Sequence, residues 1–289
     1  MKEILVLSGK GGTGKTTITA SLAILAENNV LADCDVDAAD LHLLMSPQVQ
    51  EINDFWSGVT ASVDKDKCSG CGTCAQLCRF DAISMDGNAH IDQFSCEGCT
   101  VCAVFCPEEA IELEPNLSGE WYKSETKYGP MIHAAIHIGE ENSGKLVSLV
   151  KRKARELAEE RKARWVIVDG PPGIGCPVIA SFSGADLVLG ITEPSGSGLH
   201  DLKRLVELAN HFKTPVCVCI NKWDLNMEFS NEIEIYLKRE GIPLIAKIPF
   251  DKSVVDSLVA GMPLLEYNKG LAAEAMREMW PRIVALVSS

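Results

Sequence analysis

Ser8-Gly9-Lys10-Gly11-Gly12-Thr13-Gly14-Lys15-Thr16-Thr17 (residues 8–17) follows a short apolar run, Glu3–Ser8, and leads into a segment of helical spacing, Thr16–Asn28. Gly9 to Thr16 satisfy G-x-x-x-x-G-K-[ST]. In such a loop the glycines let backbone N–H groups turn inward around phosphate, and the following helix adds the positive end of its dipole. Lys15 then neutralises the β- and γ-phosphates, and the Thr16 hydroxyl joins a Mg²⁺ shell. Gly9, Gly11 and Gly14 also fit G-x-G-x-x-G, with Asp33 ending the next strand near where a dinucleotide fold places its ribose acid. Gly-Lys-Thr directly after the last glycine decides for ATP or GTP, because a dinucleotide site has no use for a lysine there.

Outward from the loop the chain alternates strand and helix signals. Val30–Asp33, Met131–Ile138, Trp165–Val168, Leu187–Ile191, Val216–Ile220 and Pro243–Ile248 read as strands. Ser143–Arg161, the run LHDLKRLVELANHF and Leu271–Leu286 read as helices. Continuous apolar strands between helices imply an α/β fold with a mostly parallel sheet covered on both faces. Between the second strand and the rest stands a different stretch. Cys68, Cys71, Cys74 and Cys78 are repeated 28 positions later as Cys96, Cys99, Cys102 and Cys106, and Asp81-Ala82-Ile83 is matched by Glu109-Ala110-Ile111. The repeat marks an internal duplication. It divides the chain into an N-terminal nucleotide-binding part (residues 1–61), an insert (62–113) and the remainder of the core (114–289).

Each copy reads C-x2-C-x2-C-x3-C, the bacterial ferredoxin spacing, in which the fourth cysteine serves the other cluster. One [4Fe–4S] cluster is expected on Cys68, Cys71, Cys74 and Cys106, the second on Cys78, Cys96, Cys99 and Cys102. Zinc is the alternative, but structural zinc generally uses two separated pairs rather than three thiolates in seven positions. Pro107 follows the second motif and Arg79 the first, so a cation stands beside Cys78. Of the other four cysteines, Cys217 and Cys219 share one face of a strand and read as inert core. Cys34 sits inside the first nucleotide loop and Cys176 just beyond the second; small-residue packing is the expected role of Cys176, with communication to the clusters as the alternative.

Asp169 ends the apolar strand Trp165–Asp169, an arrangement that sets an acid beside Mg²⁺. Gly170-Pro171-Pro172-Gly173 makes a stiff loop whose Gly173 amide is placed to sense a γ-phosphate. Asn221-Lys222-Trp223-Asp224 fits N-K-x-D and leaves guanine and adenine both open. Asp37 and Asp40 follow Asp35 in a loop where acids are usually just solvated.

Lys10, ahead of the glycines, makes the loop resemble the deviant phosphate-loop motif of the MinD/ParA family, to which the nitrogenase iron protein and Mrp-type ATPases are related. The resemblance implies a P-loop ATPase core, adenine as the base, and a homodimer with nucleotide between subunits. It assigns Lys10 to the partner's nucleotide, Asp35 to orienting the attacking water, and Thr16, Asp35 and Asp169 to Mg²⁺. It implies nucleotide contacts from Gly11, Gly12, Thr13, Gly14, Lys15, Thr16, Thr17, Gly173 and Asn221, and from Pro249, Phe250 and Asp251. With the insert, the chain resembles MinD-type ATPases carrying a two-cluster ferredoxin domain of α+β type.

Forty acidic and 27 basic side chains give a formal charge of −13, against a nucleic-acid partner. No run reaches the length of a membrane span, and with no export signal a cytoplasmic setting is expected. The expectation is an ATP- and Mg²⁺-dependent iron–sulfur ATPase that donates electrons to, or matures, a metalloprotein partner. A cluster carrier or scaffold and a MinD-like positioning protein are the alternatives. C-x-x-C is missing outside the insert, which lowers the carrier reading. The tail AAEAMREMWPRIVALVSS is charge-balanced and reads as a packed helix rather than a membrane anchor. Gly139–Lys145 is a candidate relay between nucleotide and clusters.

Overall fold

The computed structural model describes residues 1–137, 143–267 and 269–288. The chain opens with β1 (Lys2–Ser8), α1 (Lys15–Leu25), β2 (Asn29–Asp33), α2 (Leu41–Met45) and the long β3 (Gln48–Val63). The cysteine stretch forms α3 (Thr73–Leu77), the strand pair β4 (Ile83–Asp86) and β5 (Asn88–Ile91), and α4 (Val101–Val104). After it come β6 (Ile111–Thr126), β7 (Gly129–Ile136), α5 (Ser143–Glu160), β8 (Trp165–Pro172), α6 (Cys176–Ser181) and β9 (Leu187–Thr192). The chain ends with α7 (Gly196–His211), β10 (Val216–Asn221), α8 (Met227–Glu240), β11 (Leu244–Ile248), α9 (Lys252–Val259), α10 (Leu264–Tyr267) and α11 (Leu271–Ser288).

One sheet of the described residues has the order β11-β10-β9-β1-β8-β2-β7-β6-β3. From β11 to β7 each strand runs parallel to its neighbours. These strands are short and built of Val, Ile and Leu, and β2 and β9 are buried along their whole length. Strands buried on both faces need that continuous apolar composition. Ile4, Val6, Ile18, Leu22, Leu31 and Leu189 form a core that α11 closes with Ala272, Met276, Met279 and Ile283. The tail is thus a packed helix, its Trp280 edge-on to Trp165 at 5.2 Å between ring centroids. Cys217 and Cys219 lie wholly inside this core, and burial pushes the Cys217 thiol up to about 12. The inert reading holds for both.

Two strands of this sheet escaped the sequence reading. β3 and β6 extend the sheet beyond its parallel part, and β6 joins β7 through the two residues Lys127–Tyr128, a connection that permits only antiparallel pairing. Half of the β3 residues are exposed and most of β6 is only partly buried or exposed, so the apolar signal is diluted, and β6 also carries Pro115 and Gly119, which read as breakers. A buried ion cluster was likewise invisible in the sequence. Glu3 on β1 binds Lys151 at 2.7 Å and Arg155 at 2.6 Å, tying α5 to the sheet.

The chain divides into two compact units. The first holds Met1–Asn53, Trp121–Ala135 and Ser143–Ser289; the second holds Asp54–Glu120 and, of the described residues, Ile136 and His137. Gly139 to Asn142 of the candidate relay lie outside the described residues. The second unit has a thin core, Ala61, Cys74, Ala89 and Ile111, with Val63, Ile83 and Ile91 partly buried against it.

Its backbone repeats the duplication. Gly72 and Thr100, 28 positions apart, both start a short helix from a left-handed conformation (φ 75° and 66°), and Asp81 and Glu109 repeat it at φ 53° and 49°. Gly98 sits at φ +59°, and a Cβ there would lie 2.0 Å from the Val59 carbonyl oxygen, so only glycine fits.

Candidate nucleotide site and cysteine hollows

β1, β8 and β2 are neighbours in the sheet, and their carboxyl ends carry the loop 8–17, Asp169 and Asp33 to Asp35. Ligand sites of parallel sheets form at this end. Register places Asp169 opposite both Val6 and Asp33. Asp169 is fully buried and accepts from Lys15 Nζ (2.9 Å), Thr16 Oγ1 (2.8 Å) and Thr19 Oγ1 (2.8 Å). Lys15 Nζ also lies 3.6 Å from Asp35 Oδ2. Burial alone would lower the Lys15 pKa, but the Asp169 and Asp35 carboxylates outweigh it and raise it. Burial pushes Asp35 up to about 6, with Lys15 opposing. Asp33, wholly buried, is pushed well up by burial and by Asp169, and it accepts the backbone N–H groups of Asp35 (3.1 Å) and Leu41 (3.3 Å). Its role is to hold the loop after β2.

Gly11, Gly12, Thr13, Gly14, Lys15, Thr16, Thr17 and Asp35 line one hollow of about 1220 Å³, counted with its open mouth. Asp40, Leu44, Pro172 and Leu258 are also in the wall, so Asp40 faces the site. Thr13 Oγ1 is buried with no partner, a donor kept free inside a phosphate loop. Gly14 caps α1 at φ +88°, and a Cβ there would lie 2.4 Å from Asn221 Nδ2.

Other expected residues lie outside that wall and buttress it. Asn221 Nδ2 donates to the Thr13 carbonyl at 2.7 Å, and Lys222 Nζ to the Gly12 carbonyl at 3.1 Å. Gly173 N–H donates to the Ser8 carbonyl at 3.0 Å, linking the second loop to the first. Asp224 accepts from Phe250 N–H at 2.6 Å, which joins the N-K-x-D segment to Pro249–Asp251. Both oxygens of Asp251 accept backbone N–H groups, from Ser253 (2.9 Å) and Ala272 (3.1 Å), so it caps α9 and holds the start of α11. Phe250 is half exposed.

Lys10 has a partner that the sequence reading missed. Its Nζ lies 2.5 Å from Glu193 Oε1 and 3.3 Å from Ser197 Oγ, and Lys222 approaches the other Glu193 oxygen at 3.5 Å. Burial alone would raise Glu193, but Lys10 and Lys222 outweigh it and lower it. Only its place at the end of a strand could have flagged it. Cys34 is buried and its thiol pushed far up by burial. Cys176 corrects the packing expectation: it is exposed at the first residue of α6, directly after the glycine-rich Gly173-Ile174-Gly175.

In the second unit two hollows each gather four cysteines. The first, about 340 Å³ with its mouth, is lined by Cys68, Cys71, Cys74 and Cys106; the second, about 390 Å³, by Cys78, Cys96, Cys99 and Cys102. The fourth cysteine of each motif thus stands in the other motif's hollow. All twelve cysteines are free thiols. Among the described residues no three His, Cys, Asp or Glu side chains converge closely enough to hold one metal ion; the thiols ring a space instead of meeting at a point. Cys71 and Cys99 are exposed, while burial raises the Cys74 and Cys102 thiols. No described helix is long and apolar enough to cross a membrane.

Residues 4–264 match the profile of the CobQ/CobB/MinD/ParA nucleotide binding domain. An uncharacterized protein of Methanocaldococcus jannaschii is 35% identical over 284 residues, 97% of this chain and 96% of its own. An iron-sulfur subunit of the CoB–CoM heterodisulfide reductase from Methanopyrus kandleri is 67% identical over 27 residues, 9% of this chain and 4% of its own. The septum site-determining protein MinD of Pyrococcus horikoshii, solved with Mg-ADP, shares the fold at a TM-score of 0.61 and 17% identity, covering 99% of this chain and 96% of that one.

Proposed function

We propose, for a chain that belongs to the CobQ/CobB/MinD/ParA nucleotide-binding family, an ATP-dependent iron–sulfur function. ATP binding and hydrolysis, through closure of a homodimer, are coupled to two [4Fe–4S] clusters that pass electrons to, or help mature, a metalloprotein partner. The observation that carries this reading is the crossed grouping of eight thiols into two hollows, in a chain whose other unit has the phosphate loop. The short match to an iron–sulfur protein supports it.

The amides of Gly11 to Thr16 and the Lys15 ammonium bind the phosphates, and Thr13 offers its free hydroxyl. Thr16, Asp35 and Asp169 are the residues that would hold Mg²⁺, which supplies charge neutralisation at the phosphates when bound. Lys15 and Thr16, bonded to Asp169 in the structure, turn to phosphate and metal as the nucleotide arrives. Asp35, with its carboxyl near 6, is ionised at neutral pH and orients the attacking water. Lys10 leaves Glu193 to reach the nucleotide of the second subunit.

Cys68, Cys71, Cys74 and Cys106 would hold one cluster and Cys78, Cys96, Cys99 and Cys102 the other, each supplying one-electron chemistry when bound. The chain's own contribution is to shield Cys74 and to leave Cys71 and Cys99 at the surface. The test is anaerobic purification with metal analysis, then EPR of the reduced protein with and without a non-hydrolysable ATP analogue. Iron near eight atoms per chain and a spectrum that shifts with nucleotide are expected. Bound zinc, or a spectrum indifferent to nucleotide, overturns the reading.

A further inference from the structure

The second unit is where the chain concentrates its charge. Residues 54–120 carry twelve acidic and three basic side chains, nine of the thirteen net negative charges of the whole protein. The same stretch also puts apolar groups into water. Among the described residues twenty-three large apolar side chains are exposed, and seven of them fall between Leu77 and Phe105. Phe94 is 95% exposed, Val104 73% and Phe105 61%. A short unit needs every apolar group for its thin core, so leaving these outside costs stability that a partner's surface would offset.

The two hollows differ in their rims. Leu77, Phe80 and Val101, all exposed, line the hollow of Cys78, Cys96, Cys99 and Cys102, with Glu97 beside them. The other hollow has one exposed large apolar residue in its wall, Met85. Val104 and Phe105 continue outward from Val101 on the same short helix and its cap.

We infer that the rim of the second hollow, Leu77, Phe80, Val101 and Glu97, with the exposed Asp81 next to Phe80 in the chain, is the docking surface for a redox protein that presents a basic surface around its own centre. The inference rests on the iron–sulfur reading and adds the port and the partner's chemistry. Nine net charges of one sign disfavour the other occupants. Phosphate backbones and anionic lipid surfaces are repelled, and so is the same unit of a second copy. A basic partner is instead drawn in, and the apolar rim then excludes water from the contact.

The test uses the full chain loaded with iron, and as probe a basic c-type cytochrome. Binding is read by calorimetry with the zinc-substituted, redox-inert form. Transfer is read as one-electron oxidation of the dithionite-reduced protein balanced by reduction of one ferric haem. Affinity and rate are expected to fall about tenfold between roughly 20 and 300 mM salt. The double substitution D81N/E97Q is expected to weaken binding about tenfold, and Phe80→Ser or Val104→Ser about fivefold. The control pair E207Q/E232Q, on α7 and α8, is expected to change it less than about twofold. Val104 lines neither hollow, so its variant keeps the test valid if Phe80→Ser loses iron. Equal effects from both charge pairs, or none from the apolar variants, would show general attraction to an acidic protein and overturn the inference. Absence of iron from the wild-type chain would instead strike the reading beneath it.

Discussion

Lys15 and Cys74 both stand where a ligand is expected, yet their surroundings differ. Lys15 is locked between Asp169, on the buried part of β8, and Asp35, in the loop that follows the buried β2, both beside a large core. Cys74 is one of only four buried members of a small cluster, and half of its partly buried neighbours are themselves cysteines. Polar contacts of the thiols are local: Cys71 Sγ lies 3.4 Å from Thr73 Oγ1, and Ala110 N–H donates to Cys106 Sγ at 3.3 Å. The phosphate site is thus built by the sheet before any ligand arrives. The cysteine unit leaves its interior to whatever the thiols bind, as small units that lack core commonly do.

The sharpest way to break that contrast is to remove the clusters. With Cys74→Ser and Cys102→Ser combined, amide protection in Asp54–Glu120 is expected to fall by about a hundredfold or more, while the amides of β1, β8 and β9 keep theirs. Hydrogen exchange followed by mass spectrometry reads both at once. Equal loss in both units would mean that the first is no more self-sufficient than the second.

Asp169→Asn probes the other side. It leaves Lys15 buried with Asp35, 3.6 Å away, as its remaining carboxylate. A loss of about 3–5 kcal/mol is expected from urea unfolding of the nucleotide-binding unit, together with loss of ATP hydrolysis. A variant as stable as wild type would show that the network is not what holds the site.

The smallest effect concerns Asp35. Its carboxyl is raised to about 6 from 3.8, so the folded state holds a proton there that the unfolded chain has released. Its contribution to stability is therefore present below about 4 and is lost as pH rises through 6. Hydrolysis should move the other way, with kcat/KM rising about tenfold from pH 5 to 7 and an inflection near 6. Asp35→Asn should flatten both profiles. An unchanged stability profile would place the titration elsewhere.

Legibility followed distance along the chain. The phosphate loop could be read because its glycines and lysines are neighbours a few positions apart, and the cysteine pattern because it repeats at 28 positions. The parallel strands could be read because burial on both faces leaves an uninterrupted apolar run. β3 and β6 could not, since strands that are only partly buried show little contrast between faces and β6 contains Pro115. Asp251, expected at the nucleotide, is engaged by the backbone at Ser253 and Ala272, and a cap and a ligand contact look alike in sequence.

The sequence by itself marked the phosphate loop, through glycines a few positions apart, and two sets of four cysteines, through a repeat at 28 positions. Which acid meets which lysine was decided only in three dimensions. Lys10 meets Glu193, Lys15 meets Asp169, and Glu3 meets Lys151 across more than a hundred residues each. Those pairings depend on strand order, and strand order is set by how whole apolar faces are buried, a property no local stretch carries.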